Sequence, residues 1–245
     1  MKKFFAIITI LGVCTLGLSS VVMAQEAASA AALDGGFHQE LKIKFIEGSP
    51  FFMSFIAIAL IFGLAFCLER IIYLNSAEIN TRRFIKAIES ALDKGDVEEA
   101  KNIARNTRGP IASIYYQGLM RIDQGIDVVE KSIISYGGVQ AGILDKNLSW
   151  ITLFITMSPS LGFLGTVIGM VQAFDKIQQV GDISPTVVAG GMKVALITTV
   201  SGLIVALILQ LFYNYILSQV EALLNKMEDS SITLLDMVIK LNLKK

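Results

Sequence analysis

Three long stretches of this chain carry almost no charge, and that leaves few folds open to it. No charged residue lies between Glu47 and Glu69, and Ser49 to Leu68 is a run of the roughly 20 residues a membrane span needs. A second uncharged stretch lies between Lys146 and Asp175, from about Ser149 to Phe174. A third runs from about Thr186 to Ile216, broken only by Lys193. All three exceed the threshold of about 18 residues that separates spans from buried core helices. The fold expected is an all-α integral membrane protein with three transmembrane helices, at residues 49–73, 148–174 and 187–216.

A fourth apolar run has different flanks. Lys2 and Lys3 precede Phe4 to Leu18, and Val22-Met23-Ala24 offers a cleavage site, so residues 1–24 read as a signal peptide. An uncleaved anchor helix is the rival. A lipoprotein reading of Leu11-Gly12-Val13-Cys14 is weaker, because a bulky Val precedes the cysteine. Composition agrees with a membrane chain: 53% of the 245 residues are hydrophobic and 17% charged, against about 25% charged in soluble domains. Lys plus Arg and Asp plus Glu are 21 each, which removes the electrostatic argument for nucleic acid. Two cysteines and one histidine, His38, cannot build a zinc cluster. No cofactor and no metal are expected.

Cations set the orientation. Ten fall between Asn75 and Lys146, among them Arg82, Arg83, Lys101 and Arg121, and Lys226, Lys240, Lys244 and Lys245 follow the third run. Only Lys176 lies in the short connection between the second and third spans. By the positive-inside rule, 74–147 and 217–245 are cytoplasmic, while 25–48 and 175–186 are periplasmic. An exported leader independently places the N-terminus outside. The cytoplasmic segment is helical rather than disordered: Phe84, Ile85, Ile88, Leu92, Val97, Ala100 and Ala104 recur at helical spacing. Lys94-Gly95-Asp96 interrupts them, with Asp96 placed to cap a second helix. Gly109-Pro110 marks another turn before a pattern over Ile111–Ile122. A last helix from about Asp127 runs towards span two, with Gly137-Gly138 as a candidate bend.

Spans two and three each carry a face of small residues. Ser158, Gly162, Gly165, Gly169 and Ala173 follow at steps of three or four, as do Gly191, Ala195, Thr199, Gly202 and Ala206. Small faces let membrane helices approach closely, and hydroxyls can bond across the gap. Counted from the loop that joins the spans, Thr166 and Thr199 lie at similar depth, which makes them candidates for a proton or ion path. Spacing alone favours the simpler reading, in which each hydroxyl bonds back to its own helix.

The segment Ser158-Pro159-Ser160-Leu161-Gly162-Phe163-Leu164-Gly165-Thr166-Val167-Ile168-Gly169-Met170, with Ala195 to Leu203 in the third span, resembles the MotA/TolQ/ExbB proton-channel family. The likeness extends over roughly Pro50 to Tyr215, and three spans are closer to ExbB and TolQ than to MotA. It implies an inner-membrane motor subunit driven by proton-motive force: a homo-pentameric ring around an ExbD- or TolR-like single-span partner that carries a titratable aspartate. The output would pass through a TonB-like protein to outer-membrane import. On this resemblance Thr166, Thr199, Thr198 and Lys193 line the proton pathway, and Pro159, Gly162, Gly165, Gly169, Gly191, Ala195 and Gly202 pack the helices. The residues agree on one requirement. No acid lies inside the apolar runs, so a partner has to supply one.

The sequence departs from the family where ExbB and TolQ carry a span-three glutamate, which here is Val194, next to the unusual Lys193. Lys193 can snorkel to the membrane surface or face the pore and pair with a partner's acid. The departure keeps other readings open: a TolQ-like, gliding or secretion stator subunit, or a non-conducting membrane scaffold. An enzyme is not expected, since no nucleophile–base pair or phosphate loop is present, and Gly162–Gly169 lies inside a span.

Overall fold

The computed structural model describes residues 37–181 and 185–244. The expected leader, the first half of the segment 25–48 and part of the 175–186 connection lie outside the described residues.

Among those residues every regular element is helical: α1 (Phe37–Glu47), α2 (Pro50–Ala77), α3 (Thr81–Asp93), α4 (Val97–Asn106), α5 (Pro110–Leu119), a 3-10 turn at Ile122–Gln124, α6 (Ile126–Leu144), α7 (Leu148–Val180) and α8 (Pro185–Lys244). Three of the helices are long and apolar enough to cross a membrane, and they coincide with the three apolar runs. The outward faces of these segments are apolar, with Phe51, Ile61, Phe163, Leu196 and Leu207 exposed. In a bilayer that is the expected arrangement, because lipid is no worse a neighbour for leucine than protein is. Among the described residues, hydroxyls within the apolar runs mostly bond one turn back, as in Ser54 to the Pro50 carbonyl and Ser201 to the Ile197 carbonyl, which pairs those donors without help from lipid. The chain is a membrane protein.

The chain divides into two compact units. One takes residues up to Ile58 and from Met157 to Val205; the other takes Ala59–Thr156 and Ala206–Lys245.

The second unit holds the helices expected between spans one and two. Asp96 caps α4, its carboxylate accepting from the Glu99 amide at 2.8 Å, and Asn80 caps α3 in the same way at 3.3 Å. Gly109, at φ 112, turns the chain into Pro110 at the first position of α5. A side chain at Gly109 would meet the Ala77 carbonyl at 2.8 Å, so glycine is required there for space as well as for conformation. The core contains Ile88, Ala100, Ile111, Ile114, Tyr115, Val129 and Leu234. Phe84 meets Tyr115 edge to face at 5.1 Å, and the Tyr115 hydroxyl donates to the Ser230 carbonyl at 2.8 Å. Burial pushes that phenol's pKa well above its ordinary value. Phe62, Phe154, Phe66 and Trp150 form a stacked ladder with centroids 6.1–6.3 Å apart.

Three details differ from the sequence expectation. The pattern over Ile111–Ile122 ends as a helix at Leu119, with Ile122 in the 3-10 turn. Helix α6 continues through Gly137 and Gly138 and stops at Leu144. The break comes at Asn147, whose φ of 67 is one that asparagine tolerates. The third span and the C-terminal helix are a single 60-residue helix, α8.

Candidate functional site

The first unit brings the two small-residue faces together, antiparallel, as a seam between α7 and α8. Each glycine is a point of close approach. An added Cβ at Gly162 would stand 3.0 Å from the Thr198 carbonyl and 3.1 Å from the Thr199 Cα. At Gly165 it would stand 2.8 Å from the Thr198 hydroxyl, and at Gly202 2.5 Å from the Ser158 carbonyl. At Gly191 it would run into Ala173, and at Gly169 it would reach Ala195 at an ordinary 3.4 Å. Ser158, Ala173, Ala195 and Thr198 are buried. Pro159 lies inside α7 next to Ser158; having no amide proton, it frees the Ile155 carbonyl from the helix ladder.

Thr166 and Thr199 meet in the middle of this seam. Their hydroxyls are hydrogen-bonded to each other across the two helices. Each also reaches one carbonyl of its own helix and one of the other. Thr166 points at the Gly162 carbonyl (3.2 Å) and the Ala195 carbonyl (3.1 Å). Thr199 points at the same two oxygens, 3.3 Å from each. Own-helix bonding and cross-helix bonding, which spacing presents as alternatives, therefore coexist. Two hydroxyls carry two protons but face more acceptors than that, so each oxygen can act as donor or acceptor without any heavy atom moving. The Ala195 carbonyl also receives the Thr198 hydroxyl at 2.8 Å, and with two lone pairs it cannot satisfy all three donors at once.

The other sequence candidates separate into two groups. Thr198 is fully buried against Gly165 and bonds back to its own helix. Lys193 is elsewhere. It stands two residues from both Gly191 and Ala195, about 200° around the helix from the seam, and its ammonium contacts the Glu47 carboxylate at 2.6 Å. Val194 is half-buried.

Two features escaped the sequence reading. Glu47 is the first; the available signal was that a lysine in an apolar run demands a counter-charge, and Glu47 is the acid that opens span one. Arg70 is the second, in the other unit. It is fully buried, lies over the Tyr73 ring at 4.8 Å and donates to the Leu144 carbonyl, while its Nε has no hydrogen-bond partner. Nothing in the local pattern distinguishes it from an arginine at a membrane surface. Among the described residues no cluster of His, Cys, Asp and Glu could hold a metal.

The MotA/TolQ/ExbB proton channel family matches residues 106–229, just over half the chain, including the whole threonine cluster. Similar curated proteins carry ExbB names. A putative biopolymer transport protein ExbB homolog of Methanothermobacter thermautotrophicus is 31% identical over 169 residues, 69% of this chain and 60% of that protein. A putative ExbB-like protein of Synechocystis is 28% identical over 66% of this chain and 75% of its own length. The biopolymer transport protein ExbB of Neisseria gonorrhoeae is 30% identical over 54% of this chain and 58% of its own. The match thus spans less than two thirds of the first and third of these relatives. By the extent of the family match and the character of its relatives, the chain belongs to the MotA/TolQ/ExbB proton channel family.

Proposed function

We propose that this chain is a proton-channel and motor subunit of a bacterial inner membrane, with a periplasmic N-terminus and a cytoplasmic C-terminus. Five copies form a ring around an ExbD-like single-span partner. The assembly converts proton-motive force into work delivered through a TonB-like protein to outer-membrane import. The chain does no bond-making chemistry of its own.

One observation carries the reading: the Thr166–Thr199 hydroxyl pair, set between two membrane-spanning helices with shared carbonyl acceptors. A carboxyl crossing a bilayer is costly in its charged form unless polar groups surround it. The pair offers both donors and acceptors, and the described apolar runs contain no acid of their own, so the titrating group has to come from the partner. Val194, where the family's ExbB and TolQ members carry glutamate, favours a second reading of the same fold, a non-conducting scaffold.

Vesicles reconstituted with the chain and its single-span partner separate the two. Under an imposed potential the motor reading expects proton uptake by wild type, its loss in Thr166→Val and Thr199→Val, and its retention in Thr166→Ser. Equal leakage from wild type and both valine variants, with the assembly intact, would refute the motor and leave the scaffold.

A further inference from the structure

Lys193 is the only charge in its apolar run, and such a residue is expensive enough to need a reason. Its position excludes the seam, as it projects about 200° away from Gly191 and Ala195. What it meets is the corner between α1 and α2. Glu47, the last residue of α1, holds the Lys193 ammonium at 2.6 Å and also accepts from Lys44 at 3.2 Å, one turn back on its own helix. The next residue, Gly48, is buried, and a side chain there would stand 2.8 Å from the Ile197 Cγ2, one turn along α8 from Lys193. Ser49 then takes a left-handed φ of 64, a conformation that costs a non-glycine residue free energy and persists only when its surroundings hold it. An ion pair across 146 residues, a seated glycine and a strained corner are three separate observations of one docking.

We propose that Glu47 and Lys193 form a clasp by which the helix ahead of the first span holds the end of the third. Both are then positioning residues for the threonine cluster. Lys193 itself neither carries protons nor pairs with the partner's acid. Thr199 lies six residues further along the same helix, about 9 Å at 1.5 Å per residue. A shift at the clasp is thereby passed to the hydroxyl pair. Glu47 can serve because its carboxylate stays charged: the Lys193 hydrogen bond, then the Lys44 one, lowers its pKa from the ordinary value. The positioning role rests on the proton-channel reading; the clasp does not.

Two experiments keep those claims apart. A water-soluble carbodiimide joins a carboxylate to an amine in contact with it, forming an amide as the reagent takes up the lost water as a urea. Treating the reconstituted full-length chain, mixed from ¹⁵N-labelled and unlabelled copies, should give a Glu47–Lys193 amide within one chain by peptide mass spectrometry. Lys193 joined to another copy or to the partner, or a Glu47–Lys44 amide with none at Lys193, overturns the clasp. Proton flux tests the positioning. Glu47→Gln and Lys193→Met should each lower flux by about tenfold or more, as small misplacements of reacting groups do. The double variant should fall no further than either single change, and the exchange Glu47→Lys with Lys193→Glu should restore flux. A loss in Lys193→Met that Glu47→Gln does not share puts Lys193 in the path by itself and refutes the inference. Wild-type flux in all variants refutes it too. No flux in wild type would instead sink the channel reading and leave the clasp to be decided by the amide.

Discussion

Replacing Gly202 by alanine adds one methyl group where only backbone lies opposite. The new Cβ would stand 2.5 Å from the Ser158 carbonyl and 3.2 Å from the Gly162 Cα, short of ordinary 3.4 Å contact by about 0.9 Å at the first. Neither neighbour is a side chain that can swing aside, so α7 and α8 have to separate. Overpacking of this kind costs about 1–3 kcal/mol. Alanine in a helix recovers about 0.5–1 kcal/mol relative to glycine, which leaves a net loss of between about 0 and 2.5 kcal/mol. In a chain of this size, at about 2–4 °C per kcal/mol, that lowers the thermal midpoint by up to about 10 °C. Gly190→Ala is the internal control, since a Cβ there meets nothing within 4 Å. It should keep only the helical gain and raise the midpoint by about 1–4 °C. Gly169→Ala, at ordinary contact distance, should fall between them. The assay is thermal unfolding followed by circular dichroism in one detergent, with proton flux on the same preparations. Gly202 lies three residues from Thr199, so spreading the seam there also stretches the hydroxyl pair, and flux should fall with the midpoint. A Gly202→Ala protein as stable as Gly190→Ala, conducting as wild type, would show that the seam is not packed as described.

Thr166→Val and Thr199→Val should cost little stability, since hydroxyl bonds between membrane helices are worth about 0.6 kcal/mol on average, so lost flux with an unchanged midpoint identifies a transport role. Tyr115→Phe removes a buried bond to the Ser230 carbonyl and should cost about 0.5–1.5 kcal/mol, read as a lower midpoint with transport intact. Glu47 provides the pH dependence. Its carboxyl is held below the ordinary value of 4.5, so its contribution is fully present above that value and disappears as pH falls through the lowered folded one. Whatever midpoint difference separates wild type from Glu47→Gln should be constant from pH 8 down to about pH 5 and should vanish under stronger acid; a difference that grew as pH fell would reverse the assignment.

How much of this was legible in the sequence depended on whether the relevant contact was local. Uncharged length located the three spans, because lipid penalises charge wherever it falls. Asp96 was readable as a cap because capping spans three residues. The small-residue faces were readable because helical periodicity repeats every few positions. Long-range pairings were not: the Glu47–Lys193 contact joins residues 146 apart, and the burial of Arg70 depends on Tyr73 and Leu144 closing over it. The unity of α8 was a signal passed over. The apolar run ends near Ile216, which suggested a boundary, yet no glycine or proline follows Gly202 to break the helix. Buried positions continue instead at Ile216, Val220, Leu223, Met227, Ser230 and Leu234, in steps of three and four. Hydropathy marks where lipid ends, and helix continuity is governed by backbone freedom.

The shared acceptors around Thr166 and Thr199 resemble the disorder of ice more than an ordinary hydrogen bond. The first hydroxyl can donate to the second while the second donates to a carbonyl, or the direction of both can reverse, and neither arrangement displaces a heavy atom. The pair therefore has no fixed polarity. To a protonated carboxyl passing close by it can turn a lone pair, and to the ionised form of that carboxyl it can turn an O–H. A seam too tight to admit another methyl group at Gly202 thus keeps one freedom, the rotation of two hydrogen atoms, and through it can meet both states of a titrating group at one place.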